Sequence, residues 1–281
     1  MASTESALQE KIHALQAILA EMGPTLLAFS GGVDSSFLLA VAAEILHDQV
    51  VALMTVSPAT PPEDIRQAAS LGESLQVRLL TIPHNELAIP EYAANPTNRC
   101  YFCKHSLYEI CRREAARLSL HCIADGVNLD DLHDYRPGLH AATEYGIRHP
   151  LVEAHFHKQD IRRASKMFGL STWEKPASPC LSSRVPYGTA ITATMLMQVA
   201  QGEALLRELG FRELRVRHHG RQARIEINTG EFAKVTPDTI HTLREGIKRL
   251  GFTAVLLDMK GLRSGVFNEE LSRGVNDSRF S

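Results

Sequence analysis

The chain has 281 residues, enough for one large domain or two ordinary ones, each with its own core. Hydrophobic residues make up 44% and charged residues 22%, globular values, and a formal net charge of −2 argues against a surface that coats nucleic acid. No apolar run reaches the roughly 18–20 residues that span a bilayer, and the opening MASTESALQEK lacks the plan of a signal peptide, so a cytoplasmic protein is expected.

The first apolar run, residues 25–29, predicts a buried strand, and residues 37–46 predict a helix after it. Between them lies Ser30-Gly31-Gly32-Val33-Asp34-Ser35-Ser36. A strand-to-helix turn of this composition offers backbone N–H groups, the positive end of a helix dipole and several hydroxyls, which together make an anion site. No lysine follows in Gly-Lys-Ser/Thr form, which excludes the ordinary P-loop. Strands are next predicted at 49–56, 77–82 and 121–125, alternating with helices at 61–75 and 101–118, and a further helix at 158–168 is stopped by Gly169. That rhythm predicts an α/β fold with a doubly wound parallel sheet, its ligand at the carboxyl ends of the strands. From about Ile191 the order becomes helix 192–209, strands 213–218 and 222–227 around a His219-Gly220-Arg221 turn, helix 236–250 and strand 252–258. A smaller antiparallel α+β domain follows from this, so the expected division is 1–188, 189–273 and a loose tail at 274–281.

Of the five cysteines, Cys100 and Cys103 form a C-x-x-C at a helix start, where thiol pKa values fall. Zinc ligation wants a second pair that is absent, and a redox dithiol lacks thioredoxin-like neighbours. A third possibility joins Cys180, in Lys175-Pro-Ala-Ser-Pro-Cys180-Leu-Ser-Ser-Arg184, to make three ligands for a [4Fe–4S] cluster with one iron open. Two partly buried thiols without a ligand are the fourth. Cys180 itself, on a loop of small residues and prolines beside Arg184, suits a sulfur nucleophile toward an acyl-adenylate. Cys111 and Cys122 fit buried packing. Arg215 and Arg217 alternate along a strand and share one face, with Arg224 on the partner strand and Arg263 after the last one; planar guanidiniums suit phosphates and carboxylates. The segment Asp130-Asp131-Leu-His133-Asp134-Tyr135-Arg136 is either an acidic surface loop or a place for Mg²⁺ or substrate.

Taken jointly, SGGVDSS, RCYFCK, NLDDLHDYRPGL, the PASPCLSSRVPYGT loop, RVRHH, ARIE and GLRSG resemble the LarE family, within the PP-loop (adenine nucleotide alpha hydrolase-like) ATP pyrophosphatases. The likeness extends from about Ala7 to Asn268. It implies ATP-dependent conversion of the carboxylates of pyridinium-3,5-biscarboxylic acid mononucleotide to thiocarboxylates, for a nickel-pincer cofactor, through an adenylate. It implies ATP and Mg²⁺ at Ser30, Gly31, Gly32, Asp34, Ser35 and Ser36, with Asp34 in nucleotide or Mg²⁺ handling. Cys180 matches the sulfur-bearing position, and Glu203, Arg215, Arg217 and Arg263 match positions used near the sulfur or for substrate phosphate. One branch of the family sacrifices the sulfur of a single cysteine, leaving dehydroalanine; the other uses three cysteines and a [4Fe–4S] cluster that relays sulfide. With Cys100, Cys103 and Cys180 all present, the chain resembles the cluster branch. A small-molecule substrate, sulfide or another sulfur donor, and a homo-oligomer are expected, with neither membrane nor nucleic acid. The rival classes are a tRNA thiolase with the same loop and a non-catalytic nucleotide-binding module.

Overall fold

A computed structural model describes residues 2–133, 136–176 and 178–263, with the side chains of residues 2–4 and of His133 left aside. The chain forms two compact units. The first comprises Met1–Tyr92 and Asn98–Ser178, and the second Ala93–Thr97 with the chain from Pro179 onward. The sequence-based division lay after residue 188, ten residues later, and assigned nothing from 93–97 to the second part.

In the first unit the elements run α1 Ala2–Met22, β1 Thr25–Ala28, α2 Val33–Leu46, β2 Val50–Val56, α3 Pro62–Ser74, β3 Arg78–Pro83, the single turn α4 Pro90–Ala93, α5 Arg99–Arg117, β4 Cys122–Asp125, α6 Gly138–Glu144, the single turn α7 Pro150–Glu153 and α8 Lys158–Met167. The sheet has the order β3-β2-β1-β4 and is parallel throughout. Thr25 lies opposite Val50 and Cys122, so the three strands start level; Ala28 lies opposite Asp125, so β1 and β4 also end level, while β2 continues past Leu53 to Val56. Strand residues alternate between the faces. Leu27 joins a core built from Leu15 and Leu19 of α1, Phe37 and Leu38 of α2, and Ile161 and Ala164 of α8. Leu26 and Ala28 join a second core with Tyr108, Cys111 and Ala115 of α5 and Ala141 of α6. Burial on both faces is why the strands read as continuous apolar runs. This is the doubly wound α/β architecture of the PP-loop fold.

Besides the single turns α4 and α7, two longer helices described in this unit were missed by the sequence reading. Helix α1 has its apolar residues Leu8, Ile12, Leu15, Leu19 and Met22 at helical spacing, all buried. Helix α6 lies just beyond the mixed-charge segment. Helix α2 also starts at Val33 and not at Phe37, so Asp34, Ser35 and Ser36 belong to its first turn.

The second unit runs α9 Ala193–Glu208, β5 Leu214–His219, β6 Gln222–Ile227, α10 Pro237–Arg249 and β7 Ala254–Leu257. Strands β5 and β6 form the expected hairpin, with His219 paired to Gln222 and Gly220 at φ +62° in the two-residue connection. Strand β7 adds to β6 in parallel, so the sheet is mixed and not antiparallel. The cause is α10, which crosses over between β6 and β7 and returns the chain in the same direction. Leu206, Val216, Ile225, Leu243 and Ile247 fill the core beneath. Residues 93–97 belong here because fully buried Asn95 donates its side-chain amide to the carbonyls of Pro186 (2.7 Å) and Thr189 (3.0 Å). The expected tail at 274–281, with Ser264 and Gly265 of the GLRSG motif, lies outside the described residues.

Candidate functional site

Strand β1 ends at Ala28, and the chain turns through Gly31 at φ +70° into α2. A side chain at Gly31 would be strained, and its Cβ would come within 3.3 Å of the Asp64 carbonyl oxygen. The Ser35 hydroxyl donates to the Gly32 carbonyl (3.2 Å) and lies 3.1 Å from the Ser30 hydroxyl, which stiffens the turn. The Ser36 hydroxyl and Asp34 Oδ1 are buried and have no partner among the described residues. Buried polar atoms are rarely left so, and here they stand at the dipole-positive end of a helix. An anionic ligand with a divalent cation fits that pattern: Asp34 could supply an oxygen to the cation, and the loop N–H groups and Ser36 could meet phosphate oxygens.

Two lysines from far along the sequence complete the loop. Lys158, at the start of α8, pairs with Asp34. Lys175 bonds the Gly31 carbonyl at 2.8 Å and Asp64 at 2.8 Å, and Ser178 donates to the same Asp64 carboxylate at 3.1 Å. The loop carries no lysine of its own, and local sequence gave no signal for either partner.

The neighbouring strand ends converge on this turn. Ser57 after β2 accepts from the Ala59 amide. After β4, Gly126 packs against α2 so tightly that a Cβ there would lie 2.8 Å from the Ser35 amide nitrogen. Asp130 accepts from the Lys158 amide and bonds His157, both at 2.7 Å, so it caps α8. Asp131 pairs with Arg136 and accepts from the Asn128 amide; burial leads the causes that raise its pKa. Asp134 and Tyr135, expected to line a substrate loop, lie outside the described residues.

Helix α5 begins at Arg99, so Cys100 is exposed in its first turn and Cys103 is half-buried one turn on. Both are in the first unit, and Cys180, exposed, is in the second. Among the described residues, no group of three or more His, Cys, Asp or Glu is gathered as a metal site. Cys111 is fully buried, and burial pushes its thiol up to about 12, as befits packing. Cys122 is half-buried in β4.

In the second unit Cys180 leads into a short turn, Leu181–Arg184, braced from beneath. The Arg184 guanidinium is buried; it donates to the Pro179 carbonyl (2.7 Å), the Ser183 hydroxyl (2.9 Å) and Glu203 (2.7 Å). Glu203 is fully buried and also takes Arg207 and the Val216 amide. Its position makes it the anchor of the Cys180 loop. Arg215 and Arg217 share a face as predicted, yet both are buried. Arg217 is committed to Glu226 (2.9 Å) and the Ser183 carbonyl (2.9 Å). Among the described residues Arg215 makes one hydrogen bond, to the Arg263 carbonyl at 3.1 Å, and burial, then Arg217 and Arg184, lower its pKa to about 10. Glu226, which sequence reasoning passed over, takes Arg217 and Arg224 together. Four guanidiniums (Arg184, Arg207, Arg217 and Arg224) thus pair with two buried carboxylates, Arg215 feels both carboxylates, and Asp258 lies 3.8 Å from Arg224, which leaves a cation excess that suits an anionic ligand.

The NAD synthase family profile matches residues 6–97, which hold the anion loop. Along nearly the whole chain the match is to other proteins. The pyridinium-3,5-bisthiocarboxylic acid mononucleotide synthase of Lactiplantibacillus plantarum is 36% identical over 95% of this chain and 96% of its own length. The chain belongs to the LarE family. An uncharacterised protein of Synechocystis is 40% identical over 95% of this chain and 100% of its own length, and one of Methanocaldococcus jannaschii is 27% identical over 85% and 90%. The expected LarE positions now have locations: Ser30, Gly31, Gly32, Asp34, Ser35 and Ser36 on one turn, and Cys180, Glu203, Arg215 and Arg217 in one unit. Among the described residues, no helix is long and apolar enough to cross a membrane.

Proposed function

We propose that the chain is an ATP-dependent sulfurtransferase that converts the carboxylates of pyridinium-3,5-biscarboxylic acid mononucleotide to thiocarboxylates, for nickel-pincer cofactor assembly. The observation that carries this reading is an exposed Cys180 thiol on a loop braced by buried Arg184 and Glu203, in a chain that matches a synthase of the bisthiocarboxylic product along its length. A carboxylate is a poor acyl donor because its oxygen leaves poorly, and adenylation makes that oxygen part of AMP. The loop N–H groups, Ser36, Lys158 and Lys175 take up charge on pyrophosphate, and Asp34 holds Mg²⁺. Arg215, with donors to spare, binds the mononucleotide phosphate; Arg217, Glu226 and Arg263 form the frame around it. Glu203 positions the Cys180 loop through Arg184.

Cys100, Cys103 and Cys180 supply the three-thiol donor set of a [4Fe–4S] cluster, which when bound would present sulfide from an iron that no protein ligand occupies. The donor chemistry suits such a cluster, since all three are thiols and none is fully buried. The sulfur donor is sulfide or a protein that delivers it, and the working form is a homo-oligomer. Substrate-dependent ATP–pyrophosphate exchange tests the reading. Exchange with the pyridinium mononucleotide and none with bulk tRNA supports it; exchange with tRNA alone makes the chain a tRNA thiolase, and no exchange makes it a binding module. In the sacrificial alternative Cys180 gives up its own sulfur. Intact-protein mass then falls by about 34 Da after one turnover, and Cys100 and Cys103 become dispensable.

A further inference from the structure

Asp125 ends β4 in the row of strand termini that carries the anion loop, and it is 2% exposed. Its carboxylate accepts from the Tyr108 hydroxyl at 2.6 Å and the Val127 amide at 3.1 Å, and lies 2.7 Å from His149 Nδ1. Burial pushes Asp125 up, but bonds from His149 and Tyr108 and the Lys104 charge together hold it below the ordinary carboxylate value. The carboxylate is therefore ionised and has no proton to give, so Nδ1 carries the hydrogen and Nε2 presents its lone pair. Arg148 bridges Ala124 in parallel beside β4, which sets His149 at the carboxyl edge of the sheet with the other strand ends. The His149 side chain is 21% exposed, and Nε2 has no hydrogen-bond partner among the described residues. An imidazole oriented by a buried carboxylate, with its far nitrogen open at the ligand edge, is the arrangement of a general base.

We propose that His149 is a catalytic base of this site, accepting at Nε2 the proton shed when a sulfhydryl or hydrosulfide attacks the activated carboxyl carbon. The inference rests on the function proposed above. The sulfur lone pair forms the C–S bond, and the C–O bond to AMP breaks with its electron pair leaving on the phosphate oxygen. The S–H proton passes to Nε2, and the resulting imidazolium, stabilised by Asp125, returns it to solvent. No electrons are gained or lost. Asp125 and Tyr108 are positioning residues. The other charged groups around the ring are Lys104 on α5, Arg148 before it and Glu153 on α7, and Arg148 and Glu153 pair with each other.

The test separates the two half-reactions in the full chain, with sulfide as sulfur source, from about pH 6 to about pH 9. His149→Gln should lower thiocarboxylate formation on the order of a hundredfold and exchange far less, abolish the acid limb of the transfer profile, and respond to added imidazole. Asp125→Asn, which keeps the ring but favours the other tautomer, should reproduce the transfer loss. Unchanged transfer in His149→Gln, or an equal fall in both half-reactions without imidazole rescue, overturns the inference while the functional reading stands. A wild-type chain with no substrate-dependent exchange overturns both.

Discussion

Lys158 and Lys175 are committed to carboxylates, yet an ammonium on a four-carbon stem moves readily to a phosphate. If Lys175 serves the nucleotide, Lys175→Met should raise the ATP concentration needed for half-maximal exchange by about tenfold, equivalent to about 1.4 kcal/mol. An unchanged ATP dependence would leave Lys175 a structural latch between Asp64 and the Gly31 carbonyl. The two arginines of β5 part company in the same way. Arg215→Ala should raise the substrate requirement and leave stability nearly intact, because among the described residues Arg215 gives the fold one hydrogen bond. Arg217→Ala should cost about 3 kcal/mol in urea unfolding, because it strips a partner from fully buried Glu226. Equal stability losses would refute the distinction. Alternation made the shared face of these arginines legible; their burial was not, since Glu226 pairs with Arg217 only once the hairpin register sets the strands side by side.

His218 adds a pH dependence of stability. Burial lowers its pKa, and Nε2 donates to Gln198 Oε1 at 2.9 Å while Nδ1 is buried with no partner among the described residues. The folded state thus binds this proton less readily than the unfolded chain. Its contribution is full above the unfolded value of about 6.5 and is lost as pH falls from there through the folded value. Urea midpoints should fall with pH in that window, and His218→Gln should flatten that fall; an identical slope would show that His218 is not its source.

At the scale of elements, α1 tests what the core needs. Leu15 and Leu19 are fully buried against α2, so Leu15→Ala should cost about 2–5 kcal/mol in unfolding free energy. A cost below about 1 kcal/mol would mean that α1 is dispensable to the core. The apolar spacing from Leu8 to Met22 is that of a regular helix and was readable in the sequence. The four parallel strands were readable because runs such as residues 50–56 are apolar on both faces. The parallel pairing of β7 was not, because a short strand after a helix gives no local sign of which neighbour it joins. The start of α2 was misjudged for a related reason. Serine and aspartate are poor helix formers in general, but in a first turn their side chains meet free N–H groups and a favourable dipole.

For the whole molecule, motif and architecture together made the nucleotide half of the site visible in advance, because SGGVDSS is local and its strand and helix flank it. What sequence could not supply were partners brought in from a distance: Lys158 and Lys175 on the loop, His149 on Asp125, and Asn95 clamping the chain near residue 188. The central claim is that ATP drives exchange of carboxylate oxygen for sulfur in a pyridinium mononucleotide. Mass spectrometry of the small molecules tests it most directly, after anaerobic incubation of the cluster-loaded protein with ATP, Mg²⁺, sulfide and the biscarboxylate. The account predicts AMP together with mono- and bisthiocarboxylate products, in excess over protein chains. Unchanged substrate with no AMP formed would contradict it.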